Sequence, residues 1–309
     1  MRWTAYESPM DATPRIGVLD GDQIAECPSA RRLLDLLDAD GSRLVAAADE
    51  AMSVGRRWRL TDLTLEAPIP VPPSIRDFMA FEEHLKPILA ARGATIDPAW
   101  YEIPAFYFTN PAAVMGPYTD VRAAPGAAQL DYELELAAVI GRPGRNLTPE
   151  QGQESIAGYL LMCDWSARDL QRKERPVGLG PAKGKDWATS FGPFFVTADE
   201  LPVAPGARTP DVTLTAAVNG RPYSEGRLRD IHWTFGQMIS YASRGTEVRP
   251  GDIIGSGTVG TGCIADLSAR FSQEQYPWLK PGDRVRLDGG PLGAIDCRLL
   301  DADPVVPLG

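Results

Sequence analysis

The chain has 309 residues, 44% of them hydrophobic and 23% charged, enough for a substantial core in one large domain or two unequal ones. A formal charge of -10 and a pI near 4.8 argue against nucleic acid or an anionic membrane as partner, because both need a positive surface, so the expected ligand is a small molecule. No apolar run is long enough to span a bilayer, and MRWTAYESPM lacks the basic start and apolar stretch of a secretory signal, so a cytoplasmic location is expected.

In chain order, Ile16 to Asp22 reads as a tight hairpin, and Arg31 to Met52 carries a helical apolar spacing interrupted near Gly41. The proline-rich run from Glu66 to Pro73 then imposes a stiff extended connection, which predicts a small N-terminal α+β domain over 1–70 and a larger domain over 71–309. Further helices are predicted over Phe78 to Arg92, Thr148 to Ile156, Ser166 to Arg172 and Thr234 to Ser243. A strand over Val212 to Val218 runs into the hairpin signal Asn219-Gly220. With 28 Pro and 30 Gly, strands outnumber helices and the fold class is α+β, mostly β. Cys27, Cys163, Cys263 and Cys297 are scattered with no CxxC pair, which points to buried free thiols.

The most informative segment is Asp131-Tyr132-Glu133-Leu134-Glu135-Leu136-Ala137, read as a strand. Side chains alternate with a period of two, so Glu133 and Glu135 leave one face, where two carboxylates repel unless a hard cation sits between them. Asp164, in Cys163-Asp164-Trp165-Ser166-Ala167-Arg168-Asp169, would complete an oxygen set suited to Mg, Mn or Ca. Solvated acids on a half-exposed strand are the plain alternative. Gly255-Ser256-Gly257-Thr258-Val259-Gly260 matches GxGxxG after a strand, but too little chain follows for a βαβ nucleotide cradle.

These motifs, together with Asp77-Phe78 and His84 seven residues after Asp77, Leu179 to Lys185, and Gly251 to Thr258, resemble the fumarylacetoacetate hydrolase family over roughly residues 70 to 300. The resemblance implies a mixed β-roll catalytic domain and a homodimer. It also implies a divalent cation, Mg2+, Mn2+ or Ca2+, held by Glu133, Glu135 and Asp164 with Asp77 as an additional ligand. Asp77 serves equally well as N-cap of a helix starting at Phe78.

By the same resemblance His84 is a water-activating base oriented by Asp266, a position where the family has Glu; Asp266 could instead cap a helix at Leu267. Lys185 and the amide of Gln171 would stabilise developing negative charge, with Lys183 a solvated neighbour. Tyr107, Thr258 and, as the nearest available arginine, Arg92 would bind substrate. The implied reaction is hydrolysis of a carbon-carbon bond in a 1,3-diketo acid. Tautomerisation or decarboxylation of a keto acid is the rival, and a nonenzymatic metal-containing binding protein a further one.

Overall fold

A computed structural model describes all of residues 1–309. Its largest sheet runs, in spatial order, through the strands Arg57–Arg59, Gln23–Glu26, Pro14–Asp20, Arg2–Glu7, Phe195–Thr197, Ile156–Asp164, Leu134–Ile140, Ile253–Gly255, Ile75–Phe78 and Phe106–Thr109. A second sheet, formed by Arg221–Arg227, Thr213–Val218, Arg284–Asp288, Ala294–Leu300 and Val121–Arg122, packs on it. The architecture is therefore mostly β, with short helices at the margins. No helix is long and apolar enough to cross a membrane.

The local signals act as their chemistry requires. Gly21, at φ +62°, closes the hairpin between Pro14–Asp20 and Gln23–Glu26, and Asn219 and Gly220 take positive φ between Thr213–Val218 and Arg221–Arg227. The Arg31 to Met52 segment breaks at Gly41, φ +74°, into a single turn at Leu33–Leu36 and a helix at Ser42–Val54. Thr148 and Thr234 each cap their helix reciprocally with a glutamine three residues on. Two predicted helices start late: Ser166–Ala167 is a short strand ahead of the helix Arg168–Glu174, and the shift after Asp77 is larger. Residues Ile75–Phe78 form a strand, and the helix spans Glu82–Ala90 with Phe81 at its N-cap, so Asp77 caps nothing. Phe78 is buried against Phe106 instead, an apolar contact that suits a strand as well as a helix.

The Leu134–Ile140 strand is buried on both faces. Leu134, Leu136, Ala138 and Ile140 enter the core shared with the second sheet, beside Leu161, Leu287 and Ile295. Ala137 and Val139 point the other way, into a second core with Leu160, Met162 and Trp3, Ile16 and Leu33 from the N-terminal region. The strands of that region join the large sheet directly, because Arg2 and Trp3 pair with Val196 and Phe195. By strand alternation Glu135, Asp164 and Asp77 share the face of Ala137, Met162 and Ile75. The sheet thus has one mainly apolar face, broken by Arg76 and its ion pair with Asp252, and one that turns from apolar to acidic along its length.

Leu161 is fully buried where the two sheets meet, so Leu161→Ala should cost about 3 kcal/mol through lost burial and an unfilled cavity. Urea unfolding measures it, and a loss under about 1 kcal/mol would contradict this placement of the core.

Candidate metal and catalytic site

The acid cluster is built by four neighbouring strands, three of which carry a carboxylate and one a glycine without a side chain. Asp77 pairs with Gly255, and Gly255 in turn pairs with Ala137, two residues along from Glu135. A Cβ at position 255 would lie 2.4 Å from Asp77 Oδ1, so only glycine lets the Asp77 carboxylate cross the intervening strand toward Glu135. Gly257, at φ +76°, turns the chain so that its N–H donates to Glu135 Oε2 at 3.1 Å. Thr258 Oγ1 lies 3.5 Å from Glu135 Oε1. The GxGxxG match is therefore a turn that serves carboxylates. No helix opens at its third glycine; the next one is Ile264–Arg270.

One oxygen from each of Asp77, Glu135 and Asp164 lies within 4.8 Å of the others, and all three residues are buried. Burial and their mutual repulsion raise the pKa of Asp77 and Glu135 well above the ordinary carboxylate range; burial raises Asp164 as well. Asp77 Oδ1 and Asp164 Oδ1 have no hydrogen-bond partner. Buried carboxylate oxygens with no donor, gathered in an all-oxygen set, fit a hard divalent cation such as Mg2+, Mn2+ or Ca2+.

Glu133 stands slightly apart. The expected continuous strand from Asp131 is interrupted: Leu130–Asp131 pairs with Ser166–Ala167, Tyr132 and Glu133 bridge the gap, and the long strand starts at Leu134. Its side chain meets cations. Lys185 Nζ contacts both Glu133 Oε2 and Asp164 Oδ2, and the Arg168 guanidinium lies 2.7 Å from Glu133 Oε1 and 2.8 Å from Asp131 Oδ2. These cations hold Glu133 well below the usual carboxylate range despite its burial. Lys185 is carried on a loop pinned by the Glu174 carboxylate, which accepts the N–H groups of Ala182 and Gly184. Lys183 is exposed and pairs with Asp186.

His84 lies on the helix Glu82–Ala90 and is 6% exposed. Burial lowers its pKa to about 4, so at neutral pH the imidazole is uncharged and holds a free lone pair. Its Nδ1 faces Cys263 Sγ at 3.8 Å and Asp266 Oδ2 at 3.9 Å. Asp266 is engaged elsewhere too, accepting the Thr261 N–H at 2.7 Å and the Arg270 guanidinium. It sits inside the first turn of Ile264–Arg270, whose N-cap is Cys263, so it does not cap a helix at Leu267.

Tyr107, opposite Asp77 in the neighbouring strand, donates its hydroxyl to Asp164 Oδ2 at 2.5 Å. Burial and the Asp164 and Asp77 charges push its pKa well up, which keeps it a donor. Gln171 accepts from Arg168 Nη1 at 3.3 Å on the helix Arg168–Glu174. Arg92 is exposed after the His84 helix and makes no ion pair; partial burial and the charges of Arg175, Arg172 and Arg168 lower its pKa. Sequence reasoning passed over Arg168, Asp131 and Cys263. Arg168 had a signal, a lone base four residues after Asp164 in a motif already singled out. Cys263 had none, because 179 residues separate it from His84.

Comparison with known proteins places this arrangement. Residues 74–300 match the model of the fumarylacetoacetate (FAA) hydrolase C-terminal domain. The fumarylacetoacetase of Arabidopsis thaliana is 29% identical over 269 residues, 69% of this chain and 64% of that protein, so the match spans just under two thirds of that relative. The oxaloacetate tautomerase of Bacillus subtilis is 25% identical over 299 residues, 90% of this chain and 93% of its own. Among solved structures, a fumarylacetoacetate hydrolase from Exiguobacterium antarcticum superposes with TM-score 0.76 at 26% identity, covering 98% of this chain and 100% of that one.

Adding Mn2+ at about 100 times its Kd should stabilise the protein by about 2.7 kcal/mol. Gly255→Ala should abolish most of that gain by pushing the Asp77 carboxylate aside. Thermal unfolding of both proteins with and without the ion checks this; an equal gain in the variant would remove Asp77 from the site.

Proposed function

Because the chain belongs to the fumarylacetoacetate hydrolase family, we propose that it is a divalent-cation-dependent enzyme that hydrolyses a carbon-carbon bond of a 1,3-diketo acid, such as an acylpyruvate. The observation that carries the reading is a buried, uncharged His84 near a buried acid cluster that holds more carboxylates than the one lysine contacting it can neutralise. Asp77, Glu135 and Asp164 would hold the cation, with Glu133, which shares Lys185 with Asp164, as the further ligand the sequence motif implies; when bound, the cation would supply Lewis-acid stabilisation of negative charge on the substrate oxygens.

The remaining work falls to side chains of this chain. His84 takes a proton from water, and the resulting hydroxide adds to the carbonyl distal to the substrate carboxylate. Asp266, one carboxylate from Nδ1, stabilises the imidazolium that forms. Collapse of the adduct breaks the bond to the central carbon, whose electron pair passes into the neighbouring carbonyl as an enolate. Lys185 offsets that charge electrostatically, with the Gln171 amide as a further donor. The imidazolium proton returns to the enolate carbon, leaving a carboxylic acid and a smaller keto acid, pyruvate in the acylpyruvate case. Glu133, tied to Lys185 and Arg168, keeps both cations charged and in place. Tyr107, Thr258 and Arg92 contact the substrate. The positive field of Arg92, Arg172 and Arg175 suits an anionic one. The acting form is taken to be a homodimer.

A second reading keeps the cation and drops the water. One relative matched along almost its whole length is an oxaloacetate tautomerase, and exchange between enol and keto forms needs enolate stabilisation without a nucleophile. His84→Ala separates the two. Product analysis with an acylpyruvate should show cleavage slowed by about 10²- to 10⁴-fold with Mn2+ binding intact. Unchanged cleavage would remove His84 from the chemistry, and enol-keto exchange without any cleavage in the wild type would favour the tautomerase.

A further inference from the structure

The helix that carries His84 is missing a rung. Pro87 lies inside Glu82–Ala90, so no N–H four residues on can satisfy the carbonyl of Glu83, the residue immediately before His84. That carbonyl finds its donor elsewhere. Arg270, the last residue of Ile264–Arg270, donates an Nη2–H to it, while the Arg270 Nε–H goes to Asp266 Oδ1 one turn back on its own helix. The same guanidinium lies 3.7 Å from Glu83 Oε2. One planar fork thus touches both the backbone beside His84 and the carboxylate that faces its ring.

The link matters because the imidazole and the carboxylate do not hold each other directly. Asp266 Oδ2 stands 3.9 Å from His84 Nδ1, beyond hydrogen-bond reach, and no hydrogen bond other than the weak Cys263 thiol contact holds the ring. Asp266 is fixed on both oxygens, by the Thr261 N–H at 2.7 Å and by Arg270. The separation of carboxylate and imidazole is therefore set by how closely their two helices stand, and Arg270 bridges the helices at this point.

We propose that Arg270 is a positioning residue of the reaction: by filling the carbonyl that Pro87 leaves open while gripping Asp266, it holds this carboxylate where it orients the His84 ring and stabilises the imidazolium. The inference rests on His84 acting as the base. Arg270 acts on the reacting atoms only through His84 and Asp266, so its removal costs turnover and leaves substrate binding alone.

Steady-state cleavage of an acylpyruvate with Mn2+ tests this in the wild type, His84→Ala, Arg270→Ala and the double variant. Arg270→Ala should lower kcat by about 10²-fold, as a misplacement on the order of 1 Å does, with KM within about twofold of the wild type. In the His84→Ala background the same substitution should change kcat by less than about twofold, because its effect passes through the imidazole. Arg270→Gln, which keeps an amide donor but cannot span both acceptors, should show a loss of the same kind and replaces the alanine variant if that one does not fold. A kcat within about twofold of the wild type in Arg270→Gln and Arg270→Ala, with His84→Ala slow, would overturn the role of Arg270 and leave His84 as the base. An equal loss in the His84→Ala background, the mark of a merely structural contact, would overturn it too. Full turnover in His84→Ala would remove the base itself, and this inference with it.

Discussion

Everything at the centre of this protein answers to an excess of buried negative charge. Asp77, Glu133, Glu135 and Asp164 face Lys185 and Arg168, and Arg168 is shared with Asp131, so at least two negative charges have no partner inside the protein. Ionised carboxylates cannot remain buried in that state; they take up protons or they take up a cation. The raised pKa of Asp77, Glu135 and Asp164 is the first outcome, and a bound divalent ion gives the second. A site that exchanges protons for metal in this way also polarises any oxygen-rich ligand that reaches the same ion.

The scaffold exists to hold that repulsive group together. Three strands bring the carboxylates to one sheet face, and the bare Gly255 on a fourth strand between those of Asp77 and Glu135 leaves the gap in which the two meet. Farther along the same face the strands are sealed by apolar residues of both the central and the N-terminal strands, among them Trp3, Ile16 and Leu160. Packing energy spread over two cores thus offsets the local electrostatic cost. The opposite face, shared with the second sheet, is mainly apolar and anchors the strand register on which the site depends.

Much of this was legible in the sequence because it is written in short-range patterns. The helices opening at Thr148 and Thr234 and the Asn219-Gly220 turn are local, and each forms where its spacing requires, whereas the alternation read through Glu133 and Glu135 holds only from Leu134 on. What escaped is non-local. Nothing in Asp131 to Ala137 marks Tyr132 and Glu133 as the point where the chain leaves one strand partner for another. Asp77 looked equally like a helix cap, since only its pairing with Gly255 shows it to be in a strand. The meeting of His84 with Cys263, and the pairing of Trp3 with Phe195, span most of the chain and leave no local trace.

Anomalous diffraction from manganese-soaked crystals tests the central claim most directly. The account predicts one strong manganese peak within bonding distance of carboxylate oxygens from Asp77, Glu135 and Asp164. A manganese ion bound elsewhere, with these three carboxylates hydrogen-bonded to one another and free of metal, would contradict it.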